Sequence, residues 1–279
     1  MGTEVNLLDF INKKDQKFYL KNGYVTFSLL SDADLVKLNE IYINFNQNIQ
    51  KEDPQKYSSA QDISKPKAEE ISTYILNLIR PRLKPYFVNL ELALAAFLVK
   101  PPKQKKEQAI PWHQALTYVD ETKYETAMVW IGLEFDKKDN WQFELLPATH
   151  KFKDYIRTAP NYPLFVEEYL RYMEFKKVAI QLKPGEALIF NNRLINCSPP
   201  NKTNKESRAL QIFAKVKGAS WLYFTNQEQK IKQYAASTNF FLDLWIKDSC
   251  DENAVTNEFQ HTFPRMSFVE FLRYLLPFS

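Results

Sequence analysis

Apolar residues recur at two different periods along this chain, and the change of period divides it. Residues 18–30, FYLKNGYVTFSLL, read as an extended segment with one glycine turn. Ser31 reads as a helix N-cap, with Asp34 three residues on. Leu35, Leu38, Tyr42 and Phe45 follow at helical spacing. Residues 46–66 are polar and carry Pro54 and Pro66, which predicts a loop. A second amphipathic helix carries Ile71, Ile75, Leu78 and Ile79. Pro81 is expected to end it, because the residue before a proline is pushed out of the helical region.

Beyond about residue 88 the period shortens. Residues 90–99, 127–135, 141–146, 178–182, 187–190 and 209–216 are short apolar or alternating runs with turn residues between many of them. That habit predicts a mainly β domain with flanking helices, of the sandwich or jelly-roll kind. The expected organisation is a single domain over residues 1–279, with helices at about 31–80, a β core at about 88–225 and a helical tail at about 226–279. Phe165, Tyr169 and Tyr172 suggest a helical insertion at 163–176, and Phe268, Phe271, Leu272 and Leu275 a helix near the end.

Composition narrows the class of partner. The 21 Phe and 15 Tyr against 5 Gly suit a large aromatic core with conventional turns. A net charge of +4 gives no argument for nucleic acid or an anionic membrane. The densest basic stretch, Lys100, Lys103, Lys105 and Lys106, sits among prolines and reads as a solvated loop or as a flap that attracts an anion. Two cysteines, Cys197 and Cys250, make neither a disulfide framework nor a metal knuckle. They suit a reducing cytosol, so a cytoplasmic location is expected. The first ten residues lack the long apolar run of a signal peptide. Gly2 invites myristoylation, but Asn6 stands where Ser or Thr is needed. No apolar stretch reaches the ~20 residues of a membrane span.

The chemistry gathers in two segments. The first is Pro-Trp-His-Gln-Ala-Leu-Thr-Tyr-Val-Asp, residues 111–120, followed by a strand over 128–133. The second is Pro-Gly-Glu-Ala-Leu-Ile-Phe-Asn-Asn-Arg-Leu-Ile-Asn-Cys-Ser-Pro-Pro-Asn, residues 184–201, followed by Ser207-Arg208-Ala209-Leu210-Gln211. With Asn22-Gly23-Tyr24-Val25 and Leu146-Pro147-Ala148-Thr149-His150, they resemble the phytanoyl-CoA dioxygenase family of iron(II)/2-oxoglutarate oxygenases over about residues 15–220. The resemblance implies a double-stranded β-helix, a cupin-like jelly roll. It implies a metal held by two His and one carboxylate, with open positions for cosubstrate and oxygen. The first His and the carboxylate form a His-x-Asp pair, whose i, i+2 spacing on a strand aims both to one face.

Carried over position by position, the match is partial. His113 stands at the first His, Ala115 at the carboxylate and Asn196 at the second His. Arg208, twelve residues past Asn196, stands where an arginine grips the distal carboxylate of 2-oxoglutarate. Halogenases of this superfamily also have a small residue at the carboxylate position, but their pattern keeps the second His. The remaining histidines are His150 and His261, and no spacing brings in Glu144 or Gln114 as a substitute ligand. Without the resemblance, His113 reads as a hydrogen-bonded core histidine, Arg208 as an ion-pair partner and Cys197 as a small buried residue.

His113, Ala115, Asn196 and Arg208 are thus expected around one cavity, with Trp112, Gln114, Tyr118, Trp130 and Ser198 as further lining candidates. The expected function is a degenerate family member that binds a small molecule in the jelly-roll pocket, with no tightly bound cofactor and with room for a protein partner. One alternative is an active enzyme of the same fold, using iron(II) and 2-oxoglutarate or no metal. The third is a structural or partner-binding subunit.

Overall fold

The computed structural model describes residues 5–46, 57–59, 64–106, 109–134, 142–153, 155–158, 164–227, 230–237, 240–242, 255–260 and 262–276. A polar N-cap starts the first helix and a glycine ends it. The Asn12 side chain accepts from the Lys14 N–H, and Gly23 closes α1 (Lys13–Asn22) in the left-handed region at φ 85°. Residues 18–22 are therefore helical, not extended, and only Tyr24–Ser28 forms strand β1. Gly23 is required twice over. Its φ disfavours any side chain, and a Cβ there would lie 2.5 Å from Nδ1 of His150.

Helix α2 (Asp32–Asn46) opens as expected. Ser31 Oγ accepts from the Asp34 N–H, and the Asp34 carboxylate accepts from the Ser31 N–H and hydroxyl. A two-residue strand, β2 (Tyr57–Ser58), interrupts the expected loop. Helix α3 (Lys65–Leu83) runs through Pro81. The proline lies in the last turn, where a missing N–H costs one bond and no further helix depends on it. Ile71, Ile75 and Ile79 point inward and are fully buried.

The β core follows the predicted runs closely. Its strands are β3 (Leu90–Lys100), β4 (Ile110–His113), β5 (Thr126–Glu134), β6 (Gln142–Leu145), β7 (Val178–Gln181), β8 (Glu186–Asn191), β9 (Asn196–Ser198) and β10 (Ser207–Val216). They form a six-stranded sheet in the order β1-β8-β5-β10-β3-β2 and a four-stranded sheet in the order β4-β9-β6-β7, antiparallel throughout. This is the jelly roll. Both faces of the large sheet are apolar. Phe97, Val99, Ile131, Leu210 and Ile212 face the helices, against Leu38, Ile71 and Ile75. Leu98, Met128, Trp130, Ala209 and Phe213 face the barrel interior, together with Phe143 and Leu145 of the small sheet. Trp130 and Phe143 meet edge-on across the barrel, their ring centroids 4.8 Å apart.

Two expectations fail outside this core. The insertion is helical only over α4 (Leu170–Met173) and one 3₁₀ turn, and its aromatic residues pack as a third cluster with the end of the chain. Among the described residues the tail is only partly helical, at 240–242 and near its end. It forms a three-stranded antiparallel sheet, β11 (Leu222–Gln227), β12 (Lys230–Ala235) and β13 (Val255–Gln260). Helix α5 (Phe268–Leu275) follows, with a Ser267–Glu270 capping box. Tyr223 and Tyr234 turn one face of that sheet into the barrel core, which is why these strands do not unravel. No helix among the described residues is long and apolar enough to cross a membrane.

Candidate active site

Short strands β4 and β9 carry the site. Their antiparallel register pairs His113 with Asn196 and Ile110 with Ser198. Asn196 in turn pairs with Leu145, whose side chain belongs to the barrel core. His113, Asn196 and Ser198 therefore share the barrel-facing side. The His113 ring places Nδ1 2.8 Å from the Pro111 carbonyl, a donor's position that leaves Nε2 as the acceptor nitrogen. The Asn196 side chain is buried and gives its amide hydrogens to the main chain, to the Leu194 carbonyl at 3.0 Å and the His113 carbonyl at 3.4 Å.

Ala115 lies just past the end of β4 and is held by its backbone. Its N–H donates to the Asn192 carbonyl at 3.0 Å, and its carbonyl accepts from Arg157 Nε at 2.6 Å. Arg157 is 1% exposed and forks onto Glu121 at 2.6 and 2.9 Å. The loop at Ala115 is thus fixed through its main chain.

Arg208 does not join this group. Along β10, Leu210 and Ile212 face the helices while Ala209 and Phe213 face the barrel, and Arg208 shares the parity of Leu210. Its Nη1 donates to Asn39 Oδ1 at 2.6 Å, and its guanidinium lies 4.6 Å from the Tyr42 ring centroid, both on α2. The neighbouring Ser207 has the barrel-facing parity. Its register partner is Lys100, the last residue of β3. Lys100 is not in a solvated loop. It is 4% exposed, and its ammonium donates to Ser198 Oγ at 2.6 Å and to the Pro199 carbonyl at 2.5 Å. Burial pulls its pKa down to about 7, against a smaller opposing pull from Cys197. The Ser207 hydroxyl is buried and has no hydrogen-bond partner among the described residues.

The other candidates divide in the same way. Trp130 and Tyr118 lie in the barrel, Tyr118 edge-on to Phe213 at 5.4 Å. Trp112 alternates with His113 and packs outside, in the third cluster. Gln114 is buried, and its amide is spent on the Tyr155 hydroxyl and the Arg193 carbonyl. Glu144 is on the outer face, 2.9 Å from Lys177 and 3.6 Å from the Cys197 thiol. Burial first, then that carboxylate, raises the Cys197 pKa to about 12, which rules it out as a ready nucleophile. His150 is pinned under Gly23 with its pKa held down to about 4 by burial, so it serves packing. His261 lies outside the described residues.

The jelly roll and the His113 strand together suggest one group of proteins, and the sequence profile of the phytanoyl-CoA dioxygenase family matches residues 29–210. The chain belongs to the phytanoyl-CoA dioxygenase family. Solved structures agree on the fold. The α-ketoglutarate-dependent epimerase SnoN of nogalamycin biosynthesis superposes with a TM-score of 0.55 at 15% identity, covering 90% of this chain and 94% of that one. The carbocyclase SnoK of the same biosynthesis gives 0.54 at 16%, covering 76% and 86%. EctD from S. alaskensis, solved with 2-oxoglutarate and 5-hydroxyectoine, gives 0.53 at 13%, covering 78% and 81%. No curated protein matches the chain in sequence.

A family iron site needs two imidazoles and a carboxylate, and the residues present do not fit it. Ala115 has no donor atom. Asn196 offers an amide whose hydrogens already hold the backbone. Among the described residues no three of His, Cys, Asp and Glu gather where they could hold a metal ion.

Proposed function

We propose that this member of the phytanoyl-CoA dioxygenase family has given up ordinary iron chemistry and uses its barrel to bind a small carboxylate-bearing molecule. The observation that carries the reading is Asn196, a buried amide committed to main-chain carbonyls at the register position opposite His113. An imidazole there would offer a lone pair. The amide nitrogen offers none, and the neutral Oδ1 is a poorer donor to iron(II) than imidazole.

Lys100 and Ser198 supply the anchor in this reading, in place of Arg208. An ammonium with three donors next to a hydroxyl suits a carboxylate, and both groups lie on the barrel side. Ser207 adds a third donor within the same edge of the sheet. The aromatic walls, Trp130 and Tyr118, suit an apolar remainder of the ligand. A second reading, a catalyst that needs no metal, has one observation in its favour. An amine that titrates at about 7, 2.6 Å from a serine hydroxyl, is arranged as a base beside a nucleophile.

Calorimetric titration of 2-oxoglutarate into the chelator-treated protein tests the first reading. Binding is expected without metal. Lys100→Met should weaken it roughly tenfold or more, the worth of a charge-assisted hydrogen bond. Arg208→Ala should leave it unchanged. Loss of binding in Arg208→Ala with Lys100→Met unaffected would contradict the anchor. Turnover of an activated ester that Ser198→Ala abolishes would favour the second reading.

A further inference from the structure

A cavity of about 490 Å³ lies between the 117–122 segment and the C-terminal sheet. That size suits a small organic ligand. One wall of the site lies within the family match and its floor lies beyond it. The match ends at residue 210, and the whole floor of the cavity comes from β11, β12 and β13.

The register explains the floor. Phe224 pairs with Gln233, and Gln233 with Asn257, so the three side chains line up across one face of the sheet. Leu222 and Phe259 extend the same face. The opposite face, with Tyr223 and Tyr234, is buried in the barrel core. The sheet is therefore clamped on one side and presents an aromatic bench with two amides on the other. The opposing wall carries Asp120 and Glu121, and among the described residues lining the cavity there is no Lys, Arg or His.

Charge selects the ligand. Glu121 is satisfied from behind by the buried Arg157 fork. Asp120 is engaged only by its own turn and by Lys123, in a pair whose side chains are 56% and 38% exposed. Such exposed pairs are weak and exchange partners readily. Aromatic faces attract cations, and a carboxylate on the facing wall adds to that attraction. An anion would meet the Asp120 carboxylate and the negative ring faces together.

The geometry points to a second binding site in this cavity, for a small organic cation with an apolar body, seated on Phe224 and Phe259 with its charge towards Asp120. This site is independent of the carboxylate site proposed in the barrel.

Benzyltrimethylammonium is the test probe, titrated into the full chain and followed by NMR or calorimetry, with benzoate and glucose as the anionic and neutral controls. The cation should saturate and benzoate should not. Asp120→Asn should weaken binding roughly fivefold, the upper end for an exposed charge pair. Asn257→Asp adds a carboxylate at an exposed position and should tighten it by a similar factor. Gln233→Trp should fill the cavity and abolish binding while the melting temperature is kept. If that variant does not fold, the two charge variants decide alone. The proposal is overturned if benzyltrimethylammonium fails to saturate, if benzoate or glucose binds as tightly, or if neither charge variant changes the affinity.

Discussion

The two sheets of the barrel are held together by different means. The six-stranded sheet has strands of up to 11 residues, apolar on both faces and covered by α2 and α3. The four-stranded sheet has strands of three or four residues. Its connecting segments are fixed by side chains bonded to backbone. Arg157 holds Ala115, Asn196 holds Leu194, and the Thr149 hydroxyl accepts from Ile195. The large sheet is stabilised by burial, which tolerates any apolar residue of the right size. The small sheet is stabilised by specific polar contacts, which fix geometry. On the function proposed above, that difference lets the scaffold persist with Ala115 and Asn196 at two of the family's ligand positions. Ala115 and Asn196 are each held by a hydrogen bond between side chain and main chain.

The comparison breaks first at Glu121. Glu121→Ala leaves the Arg157 guanidinium buried and without its fork. A loss of about 3–5 kcal/mol in urea unfolding is expected, as for other severed buried pairs. A loss below about 1 kcal/mol would mean that the network does not hold the small sheet. Asp34, on the helix side of the large sheet, should matter less. Asp34→Ala keeps the Ser31 Oγ cap but removes the carboxylate that accepts from Ser31 and from the half-exposed Arg82, at about 1 kcal/mol. Arg82 and Ser31 hold the Asp34 carboxyl well below its usual range, so its contribution is present above about pH 4, the unfolded value, and is lost as pH falls below it. The acid limb of a pH–stability curve should therefore flatten in the variant. Ser207→Ala should have the smallest effect, neutral to stabilising by up to about 1 kcal/mol, because it removes a buried hydroxyl that has no partner among the described residues. The same change should weaken carboxylate binding if Ser207 is a donor to the ligand.

Most of the large sheet was legible because its strands are long apolar runs bounded by turns. The pattern of runs left a sandwich or a jelly roll open, and the family resemblance selected the jelly roll. The site was legible only in part, and for identifiable reasons. Counting residues from Asn196 selected Arg208, yet the alternation of Ala209, Leu210, Ile212 and Phe213 already places residue 207, not 208, on the barrel side. Lys100 was hidden by its company. It precedes prolines and three other lysines, which suggest solvent, but the strand carries it indoors before the loop begins. Trp112 packs outside by the same alternation that turns His113 towards the barrel. The C-terminal strands carry too many polar residues to show a β pattern, because one of their faces is open to the cavity beside residues 117–122. Glu121 and Arg157 could not be paired from sequence, since 36 residues and two strand crossings separate them.

The central claim concerns the metal. Calorimetric titration of manganese(II) into the purified protein, with and without 2-oxoglutarate, tests it most directly, alongside the Ala115→Asp/Asn196→His variant. The natural protein should take up no stoichiometric metal at the barrel site, and the double variant should bind it and rise in melting temperature when it does. Stoichiometric binding by the natural protein, abolished in His113→Ala, would contradict the account and restore the chain to the working oxygenases of its family.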